Sequence, residues 1–491
     1  MSVHGPIIRR LALSPLSVSA IDDQRAWRNI ELLVAAFHFA ALIERSGKTK
    51  TVAIMLPTGC GFATAALGAW IAGRVVVPLN YLLKREELQY VIDDCGTDLV
   101  LTAPPLLEAI GYEPSAPRLL KVGAETFSGF PEPRWPAAAA DNDLAALLYT
   151  SGTSGTPKGV MLTHGNIAAN VRQCEGADVL RPNDIALGVL PQFHSFGFTV
   201  LTWLTLTLGV RVVFSARFVP QRIIRLFREH RPTAFVAIPS MYHALMSVKD
   251  AGPDDFKSVR LAVSGGEPLP RAVADRFFDR FNVRINEGYG LTETSPVTHW
   301  CSPGEYVPAC VGRPLPRVEQ RIVDWNTGRE MSPNVEGEIR LRGPNIMSGY
   351  YHLPKETAAA FDDAGWFRTG DIGKTDALGR LYITGRLKEM IIVGGENVFP
   401  REIEEVLERH PSIQASAVIG VSDEMRGELP WAFVEIKPGE AFDESALRQW
   451  CRDHLAGYKV PREIRPIEKL PRNPTGKIMR RELKSLATAK A

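Results

Sequence analysis

The feature that most constrains this chain is a repeated exchange between two hydrophobic periods through its N-terminal half. Ile30, Leu33, Val34, Phe37 and Ala41 recur at the spacing of one helix face. The apolar run Thr51–Leu56 follows, and Pro57-Thr58-Gly59 ends it, as expected of a buried strand. A small-residue helix pattern leads to Val75–Pro78, and Glu86–Cys95 leads to Leu99–Thr102. The exchange returns at Arg211–Phe214, the helix pattern Ile223–Phe227, Thr233–Ile238 and Ser258–Val263. Strand after helix after strand predicts α/β layers, with helices covering mostly parallel sheets.

Residues 105–140 are rich in Pro, Ala and Glu and read as a surface connection. Between 300 and 385 the texture changes to short strands with Gly turns (Val335–Arg340, Trp366–Arg368, Arg380–Thr384), a β-rich subdomain. A compact α+β pattern follows Gly385. Met390–Val393, Ala415–Val421 and Ala432–Ile436 are its strands, and Glu402–Arg409 is a helix with Ile403, Val406 and Leu407 inward. A boundary is expected at Arg386–Lys388, dividing the chain into residues 1–385 and 386–491.

Composition removes several alternatives. The 491 residues hold roughly three domains' worth of chain. With 45% apolar and 23% charged residues, a large core forms without staples, which excludes disorder and fibres. The balance of 57 basic against 55 acidic residues, net +2, gives no general attraction to nucleic acid or anionic lipid. Cys60, Cys95, Cys174, Cys301, Cys310 and Cys451 form no CxxC pair and are expected as buried, reduced thiols. Residues 1–21 lack a signal-peptide pattern. Phe198–Val210, thirteen uncharged residues, falls short of the roughly 20 needed for a bilayer span and reads as a core helix. A cytoplasmic protein without a membrane span is expected.

The strongest local signal is Tyr149–Gly159, YTSGTSGTPKG, between two apolar strand patterns. Glycines let backbone N–H groups approach a ligand, the hydroxyls donate hydrogen bonds, and Lys158 adds charge, a set suited to polyphosphate. Composition alone leaves a flexible surface loop open as well. The Walker A pattern does not fit, and a strand pattern follows rather than a helix.

Further motifs follow in order: GYGLTET at Gly288–Thr294, WFRTGD at Trp366–Asp371, GRLKEMIIVGGENVFP at Gly385–Pro400 and NPTGK at Asn473–Lys477. Together they resemble the adenylate-forming superfamily of acyl-CoA synthetases, peptide-synthetase adenylation domains and firefly-type luciferases, and most of all an acyl-CoA synthetase. The resemblance spans roughly residues 25–485. It implies a large N-terminal region of two α/β subdomains plus a β-rich subdomain, then a small mobile α+β C-terminal domain. It implies ATP, Mg²⁺ and coenzyme A: a carboxylate is joined to ATP as an acyl-adenylate, pyrophosphate leaves, and a thiol takes the acyl group.

Residue roles come by the same resemblance. Thr150, Ser151, Gly152, Thr153, Ser154, Gly155, Thr156 and Lys158 would hold the β- and γ-phosphates. Thr292 would touch phosphate and Glu293 would help hold the metal, a hard cation suited to carboxylate and phosphate oxygens. Tyr289, between Gly288 and Gly290, would face adenine with Glu287 two residues before it also at the nucleotide, and with Gly265, Gly266 and Glu267 as the second wall. Asp371 would bind the ribose hydroxyls and Arg386 would assist nearby. Lys477 would bridge carboxylate and α-phosphate oxygens, a task suited to a compact ammonium. Lys388 takes the hinge position, and Gly394, Gly395 and Glu396 would meet the pantetheine thiol.

His194 resembles the histidine that closes over the carboxylate and shifts to admit the thiol. Ser195, Phe196, Gly197, Ser240, Met241, Tyr242, Gly265 and Gly288 would line the acyl pocket. No Arg or Lys occurs in Gln192–Phe198 or Pro239–Tyr242 to pair a second carboxylate, which favours an apolar acid. The acceptor expected is CoA, with an acyl carrier protein as the alternative. No fused carrier pattern is seen, which weakens the peptide-synthetase reading. A nucleotide-binding regulator without catalysis ranks lower, because Lys158, Thr292, Glu293, Asp371 and Lys477 are all intact. A monomer or homodimer is expected. Ile21–Leu32 follows the superfamily only loosely and is expected to bear on packing or dimer contacts.

Overall fold

The computed structural model describes residues 2–123, 127, 129–132, 134–151, 156–472 and 478–488. One sheet has seven strands in the order Gly349–Tyr350, Pro157–Thr163, Leu144–Ser151, Val75–Pro78, Thr51–Met55, Leu99–Thr102 and Arg118–Lys121. The first two run antiparallel to their neighbours and the rest are parallel. Every residue of Thr51–Met55, Val75–Pro78 and Leu99–Thr102 is buried, which explains their uninterrupted apolar runs.

A second sheet has nine strands: Arg313–Pro314, Val297–Trp300, Ile285–Gly290, Leu261–Ser264, Ala234–Ala237, Ile185–Gly188, Arg211–Phe214, Val18–Ile21 and Ala26–Arg28. A single apolar cluster joins the two sheets, from Val52 and Ile54 of the first to Ala186 and Val212 of the second. Trp70, Phe198 and Trp203 lie within it, with the two indole rings 4.4 Å apart. The Phe198–Val210 segment is therefore core helix, as its length implied. Among the described residues no helix is long and apolar enough to cross a membrane.

The third sheet is antiparallel: Glu319–Val323, Gly337–Arg342, Phe367–Thr375 and Leu381–Arg386. The fourth contains Glu396–Val398, Ile391–Val393, Gly427–Ile436 and Ile413–Asp423, with Glu463–Pro466 parallel to Gly427–Ile436. Helices Pro400–Glu408 and Glu444–His454 share one apolar cluster of this sheet, and Arg480–Thr488 contributes Leu483 and Ala487 to another. Ile403, Val406 and Leu407 point inward as expected. The mixed α/β architecture, with a smaller C-terminal unit, is the one expected.

Three expectations are corrected or refined. The helix Asn29–Ser46 buries Leu32, Ala36, Phe39, Ala40, Ala41 and Ile43, while Ile30 is 39% exposed. Of the face expected from spacing, Ala41 is buried and Leu33 and Phe37 pack half-buried against the core, so the stripe is shifted rather than lost; packing against Cys60–Ile71 selects its centre. Residues 105–140 are not connection throughout, because Pro104–Ile110 is a helix and Arg118–Lys121 joins a sheet edge. Pro104 and Pro105 sit in the first helical turn, where proline is tolerated, so they start the helix instead of breaking it. The loosely matching N-terminal stretch does bear on packing. Val18–Ile21 pairs with Arg211–Phe214, and Asp22 accepts hydrogen bonds from Cys60 N (3.3 Å) and Trp27 Nε1 (3.0 Å).

Candidate active site

Four adjacent parallel strands, Ile285–Gly290, Leu261–Ser264, Ala234–Ala237 and Ile185–Gly188, end on the same side of the nine-stranded sheet. The segments that follow them are Leu291–Thr294, Gly265–Glu267, Pro239–Met241 and Pro191–Gly197. Parallel topology thus brings together motifs far apart in sequence, at the carboxyl ends where open α/β sheets bind ligands.

Asp371 is almost fully buried and held from two directions. The Tyr289 hydroxyl donates to its Oδ2 at 2.7 Å, and Arg386 forms an ion pair with it, Nε 2.9 Å from Oδ1. Asp371 and Arg386 face each other across paired strands, so the ion pair is set by register. Burial, then the adjacent carboxylate, pushes the Tyr289 hydroxyl well above its ordinary pKa, so it remains a donor. Arg386 is pushed up mainly by Asp371. Gly290 has a structural reason of its own. A Cβ there would lie 1.8 Å from Pro296 O, so the glycine clears a backbone crossing beside Tyr289 rather than space for a ring.

The glycine-rich loop joins the antiparallel strands Leu144–Ser151 and Pro157–Thr163, with Thr150 paired to Lys158. The predicted strand-loop-strand setting is present. Gly152, Thr153, Ser154 and Gly155 lie outside the described residues. Lys158 Nζ sits 5.3 Å from the centroid of the Tyr350 ring, and the Tyr350 hydroxyl donates to Glu293 Oε1 at 2.9 Å. The loop lysine and the carboxylate of the Thr292-Glu293 pair therefore meet on one tyrosine.

At the acyl side, Thr292 Oγ1 donates to Ser195 Oγ at 3.3 Å, linking the Thr-Glu turn to the histidine segment. His194 caps the short helix Ser195–Phe198 and its carbonyl accepts from Phe198 N at 2.8 Å. A Cβ on Gly265 would fall 2.8 Å from Phe196 Cε1, so this glycine lets the ring pass close to the strand end. Met241 is half-buried and Ser240 exposed. Tyr242 is not a pocket wall: its side chain is fully buried and its hydroxyl donates to Phe235 O (3.0 Å) and Val263 O (2.8 Å). It follows Met241 by one residue on a helix, a turn of about 100° that points it into the core.

The C-terminal unit approaches this cleft. Arg401 Nη1 donates to Ile383 O at 2.6 Å, and Arg401 and Glu405 lie within electrostatic reach of Glu287. Burial raises Glu287 to about 7, against the pull of Arg401 and backbone N–H groups of Leu269 and Ala309. Lys388, in the turn Leu387–Glu389, is lowered by desolvation and then by Arg386, with Asp371 and Glu293 opposing. Gly394, Gly395 and Glu396 form an exposed hairpin turn, with Gly394 N donating to Arg426 O at 2.7 Å. Among the described residues no hydrogen bond or ion pair joins that turn to the nucleotide motifs. Lys477 lies outside the described residues; Arg472, just before its loop, interacts electrostatically with His243 on the helix Pro239–Leu245.

Sequence reasoning missed Tyr350, whose Gly-Tyr-Tyr setting carries no charge or metal-ligand signal. It also missed His299, fully buried 5.8 Å from the Tyr289 ring and bonded through Nε2 to Gln320 Oε1 at 2.7 Å. Burial lowers His299 to about 4, so it stays neutral. All six cysteines are buried free thiols, as expected.

The family of AMP-binding enzymes matches residues 13–351, and the AMP-binding enzyme C-terminal domain matches residues 402–477. The chain is 34% identical to a long-chain-fatty-acid–CoA ligase of Bacillus subtilis, over 92% of this chain and 89% of that one. It is 35% identical to the fatty acid–[acyl-carrier-protein] ligase ScoC of Streptomyces coeruleorubidus, over 84% and 82%. ATP-bound MatB from Rhodopseudomonas palustris superposes with a TM-score of 0.90 at 29% identity and 99% coverage of both chains; its apo form gives 0.80. The chain belongs to the AMP-binding enzymes, and its class is that of an AMP-forming acid–thiol ligase.

Proposed function

We propose that this chain is an ATP-dependent carboxylic acid–CoA ligase acting on an apolar, fatty-type acid. The observation that carries this reading is the turn Tyr289–Glu293. A ribose-type carboxylate, Asp371, reaches one end of it and a phosphate-type cluster, Lys158 with Glu293, reaches the other.

In this reading Asp371 accepts the two ribose hydroxyls, already oriented by Arg386 and Tyr289. The hairpin loop and Lys158 bind the terminal phosphates, and Thr292 contacts phosphate. Mg²⁺ fits the donor set: Glu293 offers a hard carboxylate, and phosphate oxygens complete the shell. Among the described residues no three His, Cys, Asp or Glu side chains form a protein-only cage. When bound, the ion neutralises phosphate charge. Lys477 then holds carboxylate and α-phosphate together, so the barrier is lowered by positioning and charge stabilisation. His194 covers the acid, Phe196 and Met241 line its apolar tail, and adenylation expels pyrophosphate.

The stretch Arg386–Lys388 acts as the hinge. The closer likeness to ATP-bound than to apo MatB supports an adenylating pose here. Rotation would then carry Gly394–Glu396 from solvent to the thiol of CoA. The free buried thiols favour a reducing, cytoplasmic setting.

The likeness to an acyl-carrier-protein ligase keeps that acceptor as a second reading. Pyrophosphate release is followed over a panel of straight-chain and aryl acids, with free CoA or with phosphopantetheinylated carrier protein. Thioester on free CoA supports the first reading, and thioester only on the carrier replaces it with the second.

A further inference from the structure

Segment 347–351 fastens the two halves of the phosphate-binding apparatus to each other. Met347 N donates to Glu293 O at 2.8 Å. Ser348 N donates to Met161 O at 3.0 Å and Tyr351 N to Gly159 O at 2.7 Å, both on the strand that carries Lys158. Gly349 and Tyr350 continue the ladder opposite Met161 and Val160. Tyr350 N is held in turn by Thr357 Oγ1 at 2.8 Å. This backbone is fixed on both sides, so the direction of the Tyr350 side chain is fixed with it.

That side chain makes two polar contacts, each with a group assigned above to ATP. Its hydroxyl donates to Glu293 Oε1, and its ring face lies beneath Lys158 Nζ. A hydrogen bond to one carboxylate oxygen restricts rotation of the carboxylate, and a ring face attracts an ammonium to a defined place. We propose that Tyr350 is a positioning residue that orients Glu293 toward the metal–phosphate group and Lys158 toward the same phosphates. The proposal rests on the reading that this cleft binds ATP with Mg²⁺.

The two contacts separate by substitution. Tyr350→Phe removes the hydroxyl and keeps the ring; Tyr350→Leu removes both. ATP binding is measured by calorimetry for wild type and both variants, with excess Mg²⁺ and with EDTA. Wild type is expected to bind ATP more tightly with Mg²⁺. Tyr350→Phe should lose about tenfold of that Mg²⁺-dependent gain, the scale of one charge-assisted hydrogen bond, with EDTA binding unchanged. Tyr350→Leu should in addition weaken EDTA binding about threefold. A merely structural tyrosine would lower the melting temperature and leave the ratio of the two affinities alone. An unchanged ratio in Tyr350→Phe overturns the proposal, even if Tyr350→Leu does not fold. If wild type binds no ATP, the functional reading falls and this role falls with it.

Discussion

At the scale of single residues, the cleft keeps charges where their partners already stand. Asp371 has a cross-strand arginine and a phenolic donor, so its carboxylate is already oriented for the ribose contact proposed above. Asp371→Asn keeps the shape and removes the charge. It should raise the KM for ATP by about tenfold or more, the scale of a charge-assisted hydrogen bond, with less change in the KM for the acid; steady-state kinetics in both substrates check this. Glu287 is the opposite case, a carboxyl raised from the ordinary 4.5 to about 7, first by burial. The folded protein therefore holds a proton that the unfolded chain releases as pH rises from 4.5 to 7. Stability linked to this group is full below that window and is lost as pH passes through it. Glu287→Gln should match wild type near the acid end and exceed it by about 1–3 kcal/mol above neutrality. Denaturant titrations across that pH range read the difference.

At the scale of elements, legibility followed how local the determining interaction is. Strands such as Thr51–Met55 were legible because burial on both faces writes a continuous apolar run. The stripe of Asn29–Ser46 was legible only in part, because its neighbour decides its centre. The nucleotide motifs were legible by resemblance, while Tyr350 was not, since its role arises only where two distant segments meet. Tyr242 looked like a pocket residue because adjacency in sequence does not reveal a helix face. Gly265 and Phe196 test the pocket: Gly265→Ala should displace the ring and change relative kcat/KM among acids of different length by about tenfold in steady-state kinetics. In the C-terminal unit, Arg480 bonds both Glu404 oxygens at 2.8 and 3.0 Å and reaches Glu389 at 3.4 Å. It thereby ties the start of the last helix to the turn between the third and fourth sheets. Arg480→Ala leaves Glu404 buried without its cation and should cost about 3 kcal/mol by chemical denaturation.

At the scale of the whole molecule, two layered α/β sheets provide the platform, and the smaller C-terminal unit carries the segment with Lys477, the lysine proposed above to bridge carboxylate and α-phosphate. The near-zero net charge says nothing of this; in the proposed reading individual cations such as Lys158 and Arg386 carry it. Lys477→Ala should abolish adenylation and spare thioester formation from pre-made acyl-adenylate, and equal loss of both half-reactions would remove Lys477 from its role. The central claim is that one acid is activated at the expense of the α–β bond of ATP and then delivered to a thiol. Incubating the protein with ATP, Mg²⁺, a straight-chain fatty acid and CoA, and quantifying nucleotides and thioester by mass spectrometry, tests it most directly. The account predicts AMP and acyl-CoA in equal amounts. ADP as the nucleotide product, or acyl-CoA formed without AMP, would contradict it.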